Sequence, residues 1–312
     1  MGASLRAVRK DLEKKVLKGV SRSFYLSLRL LPAPMRKGAG LGYLLARTSD
    51  TLADTAAIPI NARLQCLDKF AQAVADGTDV PQWPAVVLDA VADPRERWLL
   101  ECSGAVFKSL EKLPTGEADL VREVLAVIIS GQKLDLERFG AATGENPVAL
   151  PDDRALDDYA WRVAGCVGEF WTKLGFETLG TRFSSAPQAE LLRRGRTYGI
   201  GLQLVNILRD LPEDMASGRC YLPVADPRDR AALMICHAKW LAQASRCVVE
   251  GRVYAATLGS RRLRAASVLP SLIAEKTLAL LQDATWETLQ TRIKIPRRVV
   301  YRVLGEVFLG SP

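Results

Sequence analysis

Asp50 and Asp54 in LLARTSDTLAD, and Asp210, Glu213 and Asp214 in QLVNILRDLPED, form two acidic clusters 160 residues apart in a chain that otherwise reads as helix. Residues four apart on a helix share a face at about 6 Å, so each Asp pair aims two carboxylates the same way despite their repulsion. A single DxxxD arises by chance on solvated faces. Two of them, the second placed at the end of the apolar run GIGLQLVNIL, call for a cation, because carboxylates withdrawn from water are strongly penalised unless paired. Mg2+ meets that need: it is a hard ion held by one or two carboxylates, several waters and substrate phosphate oxygens. Mn2+ is the alternative ion. This chemistry predicts a diphosphate substrate bridged by metal between the two clusters.

Arginines recur beside both clusters: Arg22 in SRSFY, Arg47 three residues before Asp50, Arg209 next to Asp210, and Arg219 in SGRCYLP. Each could fork onto a phosphate or pair with the neighbouring Asp. A third region, YAWRVAGCVGEFW from Tyr159, carries Ala164, Gly165 and Gly168. Small residues here could let two helices approach closely, or mark a helix bent around a bulky apolar ligand. Spacing leaves both readings open.

The elements that must position these residues are helices. Apolar spacings of three and four recur, as in Leu5, Val8, Leu12 and Val16 or Val121, Leu125, Ile128 and Ile129, and alternating β-branched runs are scarce. Helices are predicted near 3–20, 35–55, 61–76, 85–112, 117–139, 153–179, 187–216, 227–258, 261–288 and 296–309, separated by Pro- and Gly-containing stretches. Asp226 followed by Pro227 reads as an N-cap and first helical residue. No interruption is long or polar enough to be a linker, so residues 1–312 are predicted to form one all-α domain.

Composition narrows the function classes. The 312 residues are 48% hydrophobic, enough for a large core. No apolar run reaches the ~20 residues that span a bilayer, and the charged amphipathic start lacks a signal-peptide core, so a cytoplasmic protein is expected. The six cysteines show no CxxC pairing and read as buried thiols. His237 is the only histidine, which argues against a zinc site and a histidine-centred triad. A net charge of +8 favours an anionic partner. The basic residues are scattered and no nucleic-acid motif accompanies them, so nucleic acid is not expected; a phosphorylated substrate and a peripheral contact with an acidic membrane surface both stay open. Nothing specifies an oligomeric state.

Taken in order, SRSFYLSLRLLP, YLLARTSDTLAD, YxxxVAGxVG and QLVNILRDLPEDxxxGRxYLP, spanning roughly Ser21 to Pro223, resemble the squalene/phytoene synthase family of head-to-head prenyltransferases. The resemblance implies an isoprenoid-synthase fold: a single large helical bundle with two aspartate motifs facing each other across a central cavity. SRSF, an Arg three residues before the first Asp, and DTLAD look closest to bacterial squalene synthases. It implies that two farnesyl diphosphates condense to presqualene diphosphate, which NADPH then reduces to squalene. Members that stop at presqualene diphosphate, or that make dehydrosqualene or phytoene, are the alternative, with a catalytically inactive scaffold member behind them.

By the same resemblance Asp50, Asp54, Asp210 and Asp214 hold Mg2+, with Glu213 and Asn206 in support. Ser21, Arg22, Ser23, Tyr43, Arg47, Gln203, Arg209 and Arg219 bind diphosphate. Tyr159 assists proton removal or cation control, and EVLAVIISGQKLDLERF forms one wall of a dry cavity. IKIPRR is similar to the basic stretch thought to hold the NADPH phosphate in eukaryotic squalene synthases, through Lys294 and Arg297, with Pro296 in place of an expected Arg. VVYRVLGEVFLG is too short for the membrane anchor of those enzymes. Two departures stand out: Ala53 occupies the place of a usual Glu, and Pro212 removes a helix hydrogen bond and is expected to bend the chain, turning Glu213 and Asp214 relative to Asp210.

Overall fold

A computed structural model describes residues 22–77, 82–291 and 293–309, and within these ranges the side chains of residues 22–25, 297, 301, 308 and 309 are not described. The helical reading holds, with a different segmentation. In chain order the helices are α1 (Arg22–Leu30), α2 (Ala33–Asp54), α3 (Ile60–Asp76), α4 (Ala85–Ala90), α5 (Pro94–Glu101), α6 (Ser103–Leu110), α7 (Thr115–Phe139), α8 (Asp153–Ala160), α9 (Cys166–Leu179), α10 (Gln188–Ala216), α11 (Arg230–Ala256), α12 (Arg261–Gln282), α13 (Trp286–Gln290) and α14 (Arg297–Leu309). The only strands among the described residues are β1 (Val148–Ala149) and β2 (Arg219–Cys220), paired in parallel with Val148 opposite Arg219.

Several boundaries correct the sequence reading. The segment 85–112 is three short helices, because Pro94 starts a new helix behind the Asp93 cap, whose side chain accepts from the Arg95 amide. Helix α11 begins after Asp229, which caps it through the Ala232 amide, while Asp226 only turns the chain by accepting from the Arg228 amide. Helix α1 falls between two predicted helices. The predicted helix at 3–20 lies outside the described residues. Between α8 and α9 one π-helical turn, Trp161–Gly165, joins the two into a continuous run.

The chain divides into two compact units. One takes the residues up to Glu137 together with Lys173–Gly180, and the other takes Arg138–Thr172 with Thr181 onward. In the first unit α2 is the hub, packing on α1, α3, α5 and α6. Its buried face carries Met35, Leu44, Leu45 and Leu52, and the core is completed by Leu67, Phe70 and Leu99. Phe107 meets Phe70 edge-on at 5.4 Å. In the second unit α10 is the hub, contacting α11, α12, α13, the π turn and β2. Leu204, Ile207, Leu208 and Leu211 seat it against Trp240, Ala244 and Val248. Each acidic cluster thus rides on the C-terminal end of the central helix of its own unit.

Candidate active site

The first cluster sits at the C-terminal end of α2. Arg47 lies between two acids, with one guanidinium nitrogen 3.6 Å from an Asp50 oxygen and the other hydrogen-bonded to Glu96. Glu96 comes from the first turn of α5, and spacing along α2 gave no signal for it. Burial works against the Arg47 charge, but Glu96, followed by Asp50, outweighs it and holds the pKa above the ordinary arginine value. Gln132 of α7 donates its amide to Asp50 Oδ1 at 2.5 Å. Asp50 is desolvated yet still reached by solvent, its side chain 40% exposed. Burial pushes its carboxyl up to about 6; Arg47 opposes that shift and the nearby Asp54 adds to it. Asp54 is exposed and Tyr43 half-buried on the same helix. Ala53 is buried, and its carbonyl accepts from Arg63 at 2.9 Å. Two polar atoms around Asp50 have no hydrogen-bond partner among the described residues: the donor Nε of Arg47 and the acceptor Oε1 of Gln132.

The second cluster ends α10. Arg209 forks onto Asp210, Nε to Oδ1 at 2.8 Å and Nη2 to Oδ2 at 2.5 Å, a bidentate pair that raises the arginine's pKa against the opposing effect of burial. Glu213 is exposed and Asp214 half-buried, while Asn206 donates to Gln203 at 3.5 Å. The helix continues through Pro212 to Ala216, so no break separates Asp210 from Glu213 and Asp214. Proline has no N–H for the carbonyl four residues back. That carbonyl belongs to Leu208, and the buried His237 ring supplies the missing partner, with Nε2 3.2 Å away. Because a carbonyl only accepts, Nε2 carries the proton. Burial also lowers the pKa of this histidine, keeping it neutral. The chain's only histidine repairs the helix that its interior proline would otherwise weaken.

Arg219 is half-buried on β2. The preceding Gly218 turns the chain at φ 91°, and a Cβ there would lie 2.5 Å from the Thr143 nitrogen. Just beyond, the ring of Tyr221 stacks on that of Tyr159 at 4.7 Å, with the two hydroxyls 3.3 Å apart, and Phe139 meets Tyr221 edge-on. Tyr221 is buried, and its pairing was not legible from the sequence. The small residues after Tyr159 have a definite task. A Cβ on Gly168 would come within 1.9 Å of the Gly195 carbonyl oxygen, and one on Gly199 within 2.3 Å of the Ala164 oxygen. Backbone meets backbone where α9 and the π turn cross α10.

Ser21 lies outside the described residues. Arg22 and Ser23 begin α1, and Arg297 begins α14, with their side chains outside the description. Lys294 is exposed just ahead of α14. Both clusters offer the hard carboxylate oxygens that suit Mg2+, an ion that takes one or two carboxylates and completes its shell with water and phosphate oxygens. Among the described residues no three His, Cys, Asp or Glu side chains converge into an all-protein cage.

The family model for squalene/phytoene synthase matches residues 17–299. The chain belongs to the squalene/phytoene synthase family. Over 205 residues it is 32% identical to the bifunctional lycopene cyclase/phytoene synthase of Colletotrichum graminicola, a match covering 65% of this chain and 32% of that protein. The chain thus spans about a third of the length of such curated relatives. It is 29% identical over 225 residues to the presqualene diphosphate synthase of Zymomonas mobilis, covering 72% of this chain and 63% of the relative. Among solved structures, TcSQS with the ligand E5700 superposes with a TM-score of 0.78 at 25% identity, over 97% of this chain and 85% of that one. The fold is the all-α isoprenoid-synthase fold of this squalene/phytoene synthase family. No helix among the described residues is long and apolar enough to cross a membrane.

Proposed function

We propose that the protein joins two farnesyl diphosphates head to head, giving presqualene diphosphate and diphosphate, and that both acidic clusters take part in the reaction. The observation that carries this reading is the Nε donor of Arg47, buried beside Asp50 without an acceptor among the described residues while its other nitrogens engage Asp50 and Glu96. A donor placed so calls for an anionic oxygen next to a carboxylate that itself calls for a cation, and a metal diphosphate supplies both.

In this mechanism Asp50, Asp54, Asp210 and Asp214 would hold Mg2+, with Glu213 and Asn206 in support. The ion, when bound, neutralises charge on the leaving diphosphate as the allylic C–O bond breaks. Arg47, Arg209 and Arg219, with Tyr43, Gln203 and the residues Ser21, Arg22 and Ser23, orient the diphosphate oxygens. The double bond of the second substrate attacks the resulting allylic cation, and loss of a proton closes the cyclopropane. Tyr159, stacked on Tyr221 with the hydroxyls 3.3 Å apart, accepts or passes that proton. The apolar wall on α7 keeps water from the cation.

The experiment is incubation of purified protein with farnesyl diphosphate and Mg2+, with and without NADPH, and identification of the extracted products. Presqualene diphosphate without NADPH is the expected result. Squalene appearing only with NADPH would extend the proposal to the reductive half-reaction, for which Lys294 and Arg297 are the residues to test. Absence of product from farnesyl diphosphate would overturn it.

A further inference from the structure

Gln132 stands in the run EVLAVIISGQKLDLERF, one turn beyond the buried Ile128 and Ile129, and is itself only 8% exposed. An apolar side chain would fill this place without the penalty of burying an amide. The amide has one visible task, donating Nε2 to Asp50 Oδ1 at 2.5 Å. An ionised carboxylate only accepts, so this contact fixes the amide with nitrogen toward Asp50 and oxygen away from it. The oxygen then has no donor among the described residues, although it is buried. A buried amide oxygen beside a carboxylate cluster asks for a donor that arrives with a ligand, and a water polarised by a divalent cation is a strong one.

We propose that Gln132 is a positioning residue of the first metal site: its N–H fixes the rotamer of Asp50, and its Oε1 accepts a hydrogen bond from a water in the shell of the Mg2+ held there. This rests on the reading of Asp50 as a Mg2+ ligand. Gln132 touches no substrate atom. It sets the direction in which Asp50 offers its free oxygen and anchors the hydration shell from the α7 side. Loss of an outer partner of this kind weakens metal affinity about 10- to 100-fold.

The test uses the full chain, titrated with Mg2+ at a fixed concentration of inorganic diphosphate, and reads the midpoint of the Mg2+-dependent rise in melting temperature. Chelation by diphosphate in solution is common to all samples and cancels in the ratio of midpoints. Gln132→Met, close in volume but without the amide, is expected to raise the midpoint about 10-fold while the metal-free melting temperature stays level or rises. Gln132→Ala, which leaves room for water to reach Asp50, is expected to raise it less. A larger effect of Ala than of Met would mean that packing is the cause and would overturn the proposal, as would a Met midpoint within twofold of the wild type. Asp50→Asn separates the two levels. If it shifts the midpoint and Gln132→Met does not, only this proposal falls; if it shifts nothing, Asp50 holds no metal and the underlying reading falls with it.

Discussion

Arg47 and Arg209 stood between two roles at the level of sequence, phosphate clamp or ion-pair partner, and the structure pairs each with the lead aspartate of its cluster. Asp50 bears the sharper strain of the two. Its carboxyl titrates near 6 rather than the usual 3.8 because burial disfavours the charge. A carboxyl whose pKa is raised on folding stabilises the native state fully below the unfolded pKa, and that contribution is lost as pH rises through the folded one. The melting temperature of metal-free Asp50→Asn should therefore match the wild type near pH 4 and exceed it at pH 7. With the side chain 40% exposed, the gain is about 1 kcal/mol after solvent screening. Turnover of the same variant, and of Asp210→Asn, should fall at least ~1000-fold with the far-ultraviolet dichroism unchanged, since an amide is a poor Mg2+ ligand. A variant that melts lower at pH 7 than the wild type would contradict the desolvation of Asp50.

Among the elements, α2 and α10 were legible almost to the residue, because their apolar periodicity, the run that ends in each cluster and the flanking prolines all agree. What escaped was contact between elements. Glu96, Gln132, Tyr221 and His237 reach the site residues from other helices or loops, and helical spacing reports only neighbours on one face. The π turn at Trp161–Gly165 and the glycine crossing also depend on a partner helix. Pro212 did leave a trace: an interior proline must orphan the carbonyl of Leu208, although nothing in the sequence names the donor that repairs it. This pair gives a double-mutant test. His237→Leu should cost about 1–2 kcal/mol in unfolding free energy by denaturant titration, since a buried carbonyl loses its donor. Pro212→Ala restores an N–H to that carbonyl, so His237→Leu placed on it should cost clearly less. Equal costs in the two backgrounds would show that the His237 contact contributes nothing to the helix.

Across the whole molecule, two units each carry one acidic cluster on their central helix, and each lead aspartate is already neutralised by an arginine. A cation alone must break such a pair, leaving Arg47 with Glu96 only and Arg209 without its bidentate partner. A metal diphosphate offers the arginine an anion as it takes the aspartate, so the partners exchange without net loss of pairing. Mg2+ alone should accordingly shift the melting temperature by less than about 1 °C, diphosphate alone only slightly, and the two together by several degrees, as binding to the native state requires. A full shift with Mg2+ alone would show that the arginines do not hold the aspartates in solution. The +8 charge adds general attraction for anions to this local exchange.

The glycine crossing sets a limit on how this protein could be re-engineered. At Gly168, Gly195 and Gly199 main chain lies against main chain, so there is no side chain to enlarge, shrink or reshape. In a saturation library selected for a folded product, these three positions should return glycine alone, whereas the polar face of α11 should accept wide variation. Attempts to admit a longer prenyl chain by thinning this seam have nothing to remove. Any reshaping has to come from walls built of side chains, while the seam itself stays fixed.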